Sequence, residues 1–120
     1  MRIHDPFDAY PYLTAKPKGG VVRAARVLRS GRAWRKKSIR IRRSMPVCFG
    51  LNEDHERPTT LVHHIVSVED DPSAAYDDEN LVAICRGCHD FIEGVYARDR
   101  RKAVSRAKKY REEVVGQADT

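Results

Sequence analysis

Two cysteines three positions apart, Cys85 and Cys88, constrain the fold of this chain most. The C-x-x-C spacing, with Gly87 in between, is typical of a tight turn that aims both thiolates at one tetrahedral zinc ion. A redox pair is the alternative, but it is typical of a thioredoxin-like βαβ pattern, which the sequence lacks. Cys48 makes the cysteine count odd, which argues against a disulfide framework. We therefore expect a small fold held together by metal.

The fourth zinc ligand is less clear from the sequence. Leu51 stands where a second C-x-x-C pair, starting at Cys48, would need its partner cysteine. His55, seven residues after Cys48, is a candidate that would give a Cys₃His site. The alternative is that His55 is an ordinary loop histidine, with zinc completed by water or not bound. We expect the fold to depend on this zinc, because so small a hydrophobic core has few apolar residues to stabilise it.

The segment LVHHIV, residues 61–66, places two adjacent histidines in an apolar, β-branched run typical of a strand. Side chains alternate between the faces of a strand, so His63 and His64 cannot both enter one core. One imidazole could hydrogen-bond a backbone carbonyl while the other is solvated. Alternatively, one of them faces a functional site.

Hydrophobic periodicity predicts an α+β fold with a hairpin between helices. Apolar residues have helical spacing from Gly20 to Gly31 and again from Trp34 to Met45, where the alternation SIRIR competes as a strand. The runs LVHHIVSV and LVAIC predict two antiparallel strands joined by the loop EDDPSAAYDDEN, whose aspartates are interpreted as solvated turn formers. Two further helices are expected, with apolar stripes at Phe91, Ile92, Val95 and Tyr96 and at Val104, Ala107 and Val114.

These patterns divide the chain into four parts. An irregular lead-in covers residues 1–19, a basic helical arm 20–45, a metal-stapled core 46–97, and a basic C-terminal helix with a disordered tail 98–120. The length suits one small domain with extensions. No apolar run reaches the roughly 20 residues that cross a bilayer, and the first residues lack the pattern of a signal peptide. We expect a cytoplasmic protein with no membrane partner.

Charge is distributed in blocks rather than evenly. The stretch between Asp8 and Glu53 holds twelve Lys and Arg and no acid, whereas the segment from Glu53 to Glu93 holds eleven Asp and Glu against only Arg57 and Arg86. Basic arms around an acidic centre fit metal chemistry on a polyanion, since cationic side chains neutralise phosphates. Solvated helix faces are the plainer interpretation. The candidate phosphate contacts are Arg35, Lys36, Arg40 and Arg43.

The segment LVHHIVSVEDDPSAAYDDENLVAICRGCHD resembles the ββα-metal core of HNH endonucleases. The preceding AWRKKSIRIRRSMPVC is similar to the basic helix of small phage-encoded members, so the resemblance covers about residues 31–93. It implies that His63 and His89 hold a catalytic divalent ion and that His64 is the general base. It also implies a catalytic role for Asn80, in tying down the loop and holding His64. As a plainer alternative, Asn80 is a turn residue that caps the strand.

The resemblance further implies a function. We expect a metal-dependent endonuclease that nicks double-stranded DNA with weak sequence specificity, acting as a monomer or weak dimer. A phage or prophage origin is expected, with terminase and genome packaging as one setting and restriction of foreign DNA as another. A noncatalytic zinc-stapled DNA-binding module and an RNA-directed nuclease are the alternatives.

Two kinds of metal ion are expected as cofactors: one structural Zn²⁺ and one catalytic Mg²⁺, Mn²⁺ or Ni²⁺. Many family members have an aspartate where this chain has His63. Two imidazoles without a carboxylate would make a softer site, which favours Mn²⁺, Ni²⁺ or Zn²⁺ over Mg²⁺. Trp34 is interpreted as a core residue rather than a platform for stacking bases.

Overall fold

The computed structural model describes residues 28–95 and 98–118. Most of the helix predicted between Gly20 and Gly31, and the lead-in before it, lie outside the described residues. The described chain is α+β, with an element order of α1, β1, β2, β3, β4, α2 and α3. Their bounds are α1 Arg32–Ser44, β1 Val47–Cys48, β2 Arg57–Pro58, β3 Leu61–His64, β4 Leu81–Ile84, α2 Arg86–Val95 and α3 Arg100–Ala118.

The first helix, α1, confirms the helical interpretation of the basic arm and rules out a strand over SIRIR. Its apolar face buries Ile41 and half-buries Trp34, and Met45 follows in the same cluster. The backbone N–H of Met45 closes the last turn on Ile41 O at 3.0 Å, after which Pro46 prevents continuation. The helix packs against both strands of the β3–β4 hairpin.

The polar loop after α1 is bounded by two very short strands that the sequence did not suggest. In the antiparallel register Val47 pairs with Pro58 and Cys48 with Arg57. Gly50 allows the turn between them, because its φ of 98° is left-handed and a Cβ there would meet the Glu53 carbonyl oxygen at 1.9 Å. The turn brings His55 back towards Cys48.

The predicted hairpin is present as β3 and β4, which pair antiparallel with Leu61 opposite Ile84 and His64 opposite Leu81. Residues 65–80 connect them and include two 3₁₀ turns, Pro72–Ala74 and Asp78–Asn80. All four residues of β4 are buried. A strand of this kind packs against other elements on both of its faces. The long loop that connects β3 to β4 can carry functional residues.

The aspartates of this connection are turn formers, but the expectation that all are solvated is wrong. Asp70 and Asp71 are buried. Asp70 pairs with Arg100 at the start of α3, and Asp71 accepts the backbone N–H of Ser73 at 3.1 Å. Each buried carboxylate thus has a hydrogen-bonding partner, as a buried polar group requires.

The last two helices confirm the predicted apolar stripes as far as they are described. Ile92 of α2 is buried, and so are Val104, Ala107 and Val114 of α3. Tyr110 is also buried on the α3 seam. The helix continues through Ala118, so Gly116–Ala118 are helical rather than part of a disordered tail. No helix in the described part of the chain is long and apolar enough to cross a membrane.

Candidate metal centres and active site

Four side chains converge on one point where β1, the His55 loop and the start of α2 meet. His55 Nε2 lies 3.4 Å from Cys48 Sγ and 3.6 Å from the sulfurs of both Cys85 and Cys88. Cys48 Sγ and Cys88 Sγ are 3.6 Å apart. Ligand atoms at ordinary zinc distances lie about 3.5–3.8 Å apart across a tetrahedron. The donor set therefore fits a structural Cys₃His zinc, and the loop histidine is its fourth member.

Groups around this centre hold the thiolates in place. The backbone N–H of Leu51 donates to Cys88 Sγ at 3.4 Å. Tyr110 reaches in from α3, accepting the Phe49 N–H at 2.9 Å and directing its hydroxyl at Cys48 Sγ at 3.9 Å. Outer partners of this kind orient ligands and neutralise part of their charge. The C-terminal helix is thus tied to the zinc centre.

A second group of ligand atoms lies where β3 meets α2. His63, His89 and Glu93 each offer one ligand atom, all within 4.8 Å of one another. Glu93 Oε1 is 3.7 Å from His63 Nδ1 and 3.6 Å from His89 Nε2. These separations exceed hydrogen-bond length but are close to the spacing of about 3.0–3.5 Å expected for neighbouring ligands on one divalent ion. The three atoms fit a metal site.

Glu93 was not identified in the sequence, and its presence corrects the expectation of a site without a carboxylate. The signal was available as the spacing H-x-x-x-E over residues 89–93. In a helix, positions i and i+4 share one face, so His89 and Glu93 point the same way once α2 is known to include both. A carboxylate makes the group harder, which brings Mg²⁺ back among the suitable ions beside Mn²⁺.

His63 is suited to bind a cation because it is neutral. Burial, together with the neighbouring His89 and His64, lowers the pKa of His63 to about 3. Its imidazole therefore keeps a free lone pair at neutral pH, as a metal ligand requires. Its ring meets that of His89 edge-on, with the centroids 5.6 Å apart.

His64, the next residue on β3, contacts a different set of groups. Its Nε2 donates to the carbonyl oxygen of Ala75 at 2.9 Å, and its ring stacks on Trp34 at 4.7 Å between centroids and 24° between planes. A carbonyl only accepts, so in the neutral ring Nε2 carries the proton and Nδ1 has the lone pair. Burial lowers the pKa of His64, while the Ala75 bond opposes that shift. A neutral ring with an unprotonated Nδ1 has the form that a general base requires.

The side chain of Asn80 hydrogen-bonds backbone groups, and within the described residues none of these bonds goes to a histidine. Its side-chain oxygen accepts the Val66 N–H at 2.7 Å, and its amide donates to Val66 O at 3.0 Å and Ala74 O at 3.1 Å. These bonds fix the connection immediately after β3 and next to Ala75, whose carbonyl holds His64. Asn80 is therefore placed to position His64 through the loop.

The basic side chains of α1 fall into two sets. Lys37 and Arg40 both contact Asp78, the latter at 3.1 Å, and the Lys37 hydrogen bond holds the pKa of the Asp78 carboxyl below its usual range. The other candidate phosphate contacts are exposed, namely Arg35, Lys36 and Arg43. Of the four candidate phosphate contacts, Arg40 is thus the one that forms an ion pair, with Asp78, within the described residues.

The fold and the two ligand groups define a zinc-stapled ββα-metal domain. Residues 49–92 match the family model described as HNH endonuclease, so this segment is similar to an HNH endonuclease domain. The match covers less than half of the chain but includes His55, the histidine doublet, Asn80 and His89. Comparisons with curated proteins and with solved structures gave no match. An HNH domain supports a nuclease-type function that cleaves DNA.

Proposed function

We propose that this chain is a metal-dependent endonuclease that hydrolyses phosphodiester bonds of double-stranded DNA, nicking one strand at a time. The observation that supports this best is the grouping of His63, His89 and Glu93 next to His64. A noncatalytic binding module has no need of a second ligand group in addition to its structural zinc.

Each residue has a distinct task in the proposed reaction. His63, His89 and Glu93 would hold a divalent ion, which would supply positive charge beside the scissile phosphate. His64 takes the proton of the attacking water at Nδ1, since Nε2 is committed to Ala75. Trp34 covers the His64 ring, and the Asn80 bonds keep the Ala75 carbonyl in place.

The DNA is held mainly through its backbone. Contacts between cationic side chains and phosphates carry little sequence information, so weak specificity follows. Arg35, Lys36 and Arg43 remain the proposed contact residues, whereas Arg40 already shares the Asp78 carboxylate with Lys37. One metal group per chain cuts one strand, so a double-strand break requires a dimer or two successive nicks.

The biological setting is part of the same proposal. We infer action in the cytoplasm, where reduced cysteines are maintained for zinc binding. A phage or prophage gene is inferred from the likeness of the basic helix to small phage-encoded members, with genome packaging alongside terminase as the role. Restriction of foreign DNA is the alternative, and stimulation of nicking by a terminase large subunit would separate the two.

The proposal is tested by converting supercoiled plasmid to nicked circles. Wild type and His64→Ala are freed of loosely bound metal with the structural zinc kept, and then receive Mg²⁺, Mn²⁺ or Ni²⁺. Nicking by wild type and at least 100-fold less by His64→Ala is the expected result, since general bases contribute roughly 10²- to 10⁴-fold. Both proteins should shift DNA in a gel.

The noncatalytic alternative predicts a different outcome. If both proteins bind DNA and neither cuts with any ion, the chain is a zinc-stapled binding module and the nuclease proposal is lost. A duplex RNA of the same sequence serves as the second substrate, and cleavage of RNA alone would assign the activity to RNA.

A further inference from the structure

The two flanks of α1 differ in how their cations are satisfied. On one flank, Lys37 and Arg40 share the Asp78 carboxylate, which comes from the 3₁₀ turn before β4. The low pKa of Asp78 keeps that carboxylate ionised at neutral pH. A phosphate arriving there would have to compete with a negative charge already in place. The two cations of this flank therefore already have a carboxylate partner in Asp78.

The opposite flank has arginines without such partners. It borders a groove of about 280 Å³, called here the Arg42 groove, lined by Ile39, Arg42, Arg43, Pro46 and Thr59. Within the described residues, Arg42 Nε is buried with no hydrogen-bond partner, and no ion pair there involves Arg42 or Arg43. The positive charges of Arg42 and Arg43 are therefore not balanced by a carboxylate in the part of the chain that the structure describes.

The wall of the groove is rigid. Thr59 Oγ1 donates to Met45 O at 2.8 Å, and the Thr59 N–H donates to Pro46 O at 3.0 Å. These bonds fix the segment before β3 against the end of α1 and use up the carbonyls that would otherwise repel an anion. Arg42 and Arg43 line the same groove, and guanidinium donors match the geometry of a phosphate group.

We propose that the Arg42 groove binds a backbone phosphate of the DNA, away from the scissile one. This inference deepens the proposed function by naming where the duplex is held. Thr59 precedes His64 by five residues of nearly extended chain, which separates the groove from the general base by roughly 15 Å. At 3.4 Å per base pair this separation corresponds to about four base pairs, which is well within the length of one duplex.

The decisive variant is Ile39→Glu, with Ile39→Gln as its control. Ile39 is 40% exposed, so either polar side chain is tolerated. In the helix, position 39 lies one turn from Arg35, Arg42 and Arg43, so a carboxylate there satisfies these cations and competes with a phosphate. Ile39→Glu is expected to melt at or above the temperature of Ile39→Gln and to bind a short DNA duplex about tenfold more weakly.

A second pair of variants tests the contrast between the flanks. Arg43→Gln removes a groove cation, and Arg40→Gln removes one that Asp78 already neutralises. The slope of log affinity against log salt should fall by about one for Arg43→Gln and by much less for Arg40→Gln. Affinities are measured by fluorescence anisotropy in a His64→Ala background, so the result does not depend on cleavage. If the protein with His64 intact does not nick DNA while the groove effect is present, only the nuclease proposal is refuted.

Three results would overturn the inference. Equal DNA affinity of Ile39→Glu and Ile39→Gln would mean that the arginines only stabilise the negative end of α1. Equal salt slopes for Arg43→Gln and Arg40→Gln would mean that the groove is not preferred. If inorganic phosphate raises the melting temperature of wild type but not of Ile39→Glu, while both variants bind DNA equally, the groove is a site for free anions and not for DNA.

Discussion

Tyr110, near the middle of the C-terminal helix, directs its hydroxyl at the sulfur of Cys48, 62 residues earlier in the chain, at 3.9 Å. The same hydroxyl accepts the Phe49 N–H at 2.9 Å. A helix that looked from its sequence like a basic appendage is therefore part of the zinc centre. The folding of α3 and the binding of zinc should be coupled.

Tyr110→Phe should weaken zinc binding without abolishing the fold. The change leaves the Phe49 N–H without its acceptor, which costs about 1 kcal/mol, and removes a donor near the Cys48 thiolate. Loss of an outer partner typically costs at least tenfold in metal affinity. Competition with a chromophoric chelator measures this. Tyr76→Phe is the control, because Tyr76 bonds Leu28 O away from the zinc centre; an equal effect of both variants would contradict the assignment.

Removal of the zinc should unfold the domain, and His55 should be needed to hold it. His55→Ala is expected to purify with less than one zinc per chain and to lose cooperative unfolding, whereas His55→Cys supplies a fourth thiolate and keeps the ion. Zinc content and a thermal melt with and without chelator check this. His89→Ala belongs to the other ligand group and should keep its zinc. Full zinc occupancy in His55→Ala would restore the interpretation of His55 as an ordinary loop histidine.

The sequence predicted the elements whose signals are local. The C-x-x-C turn and the alternation around His63 and His64 depend on neighbouring residues, and so do the apolar stripes of α2. Features that join distant parts of the chain were missed, such as the bond from Lys37 to Asp78, 41 residues away. No periodicity carries that information, because such pairings depend on how the elements pack.

Asn80 illustrates an intermediate case. The family likeness singled it out, but only the structure shows that its three hydrogen bonds go to the backbone of Val66 and Ala74. Asn80→Ala leaves buried groups unpaired and is expected to lower the free energy of unfolding by about 2–4 kcal/mol, measured by urea denaturation. Asp77→Ala removes an exposed cap in the same loop and should cost less than about 1 kcal/mol. Similar losses for the two would show that Asn80 is an ordinary turn residue.

Glu93→Gln should alter the choice of catalytic ion. The amide keeps the shape of the side chain but removes the hard anionic oxygen, so activity with Mg²⁺ is expected to fall at least tenfold and activity with Ni²⁺ to fall less. Nicking rates are measured across a titration of each ion. Glu112→Gln is the matched control, since Glu112 is an exposed residue of α3 and lies outside the ligand group. Equal losses with both ions would remove Glu93 from the metal site.

Trp34 should act on catalysis through the His64 ring that it covers. Trp34→Phe keeps a stacking face, while Trp34→Ala frees the imidazole to rotate, so kcat for nicking is expected to fall about tenfold in the alanine variant and much less in the phenylalanine variant. KM for DNA should stay unchanged in both, because the indole is placed against His64 and Tyr76. A thermal melt shows whether each variant is folded. A raised KM with kcat intact would contradict this role and make Trp34 a platform for stacking bases.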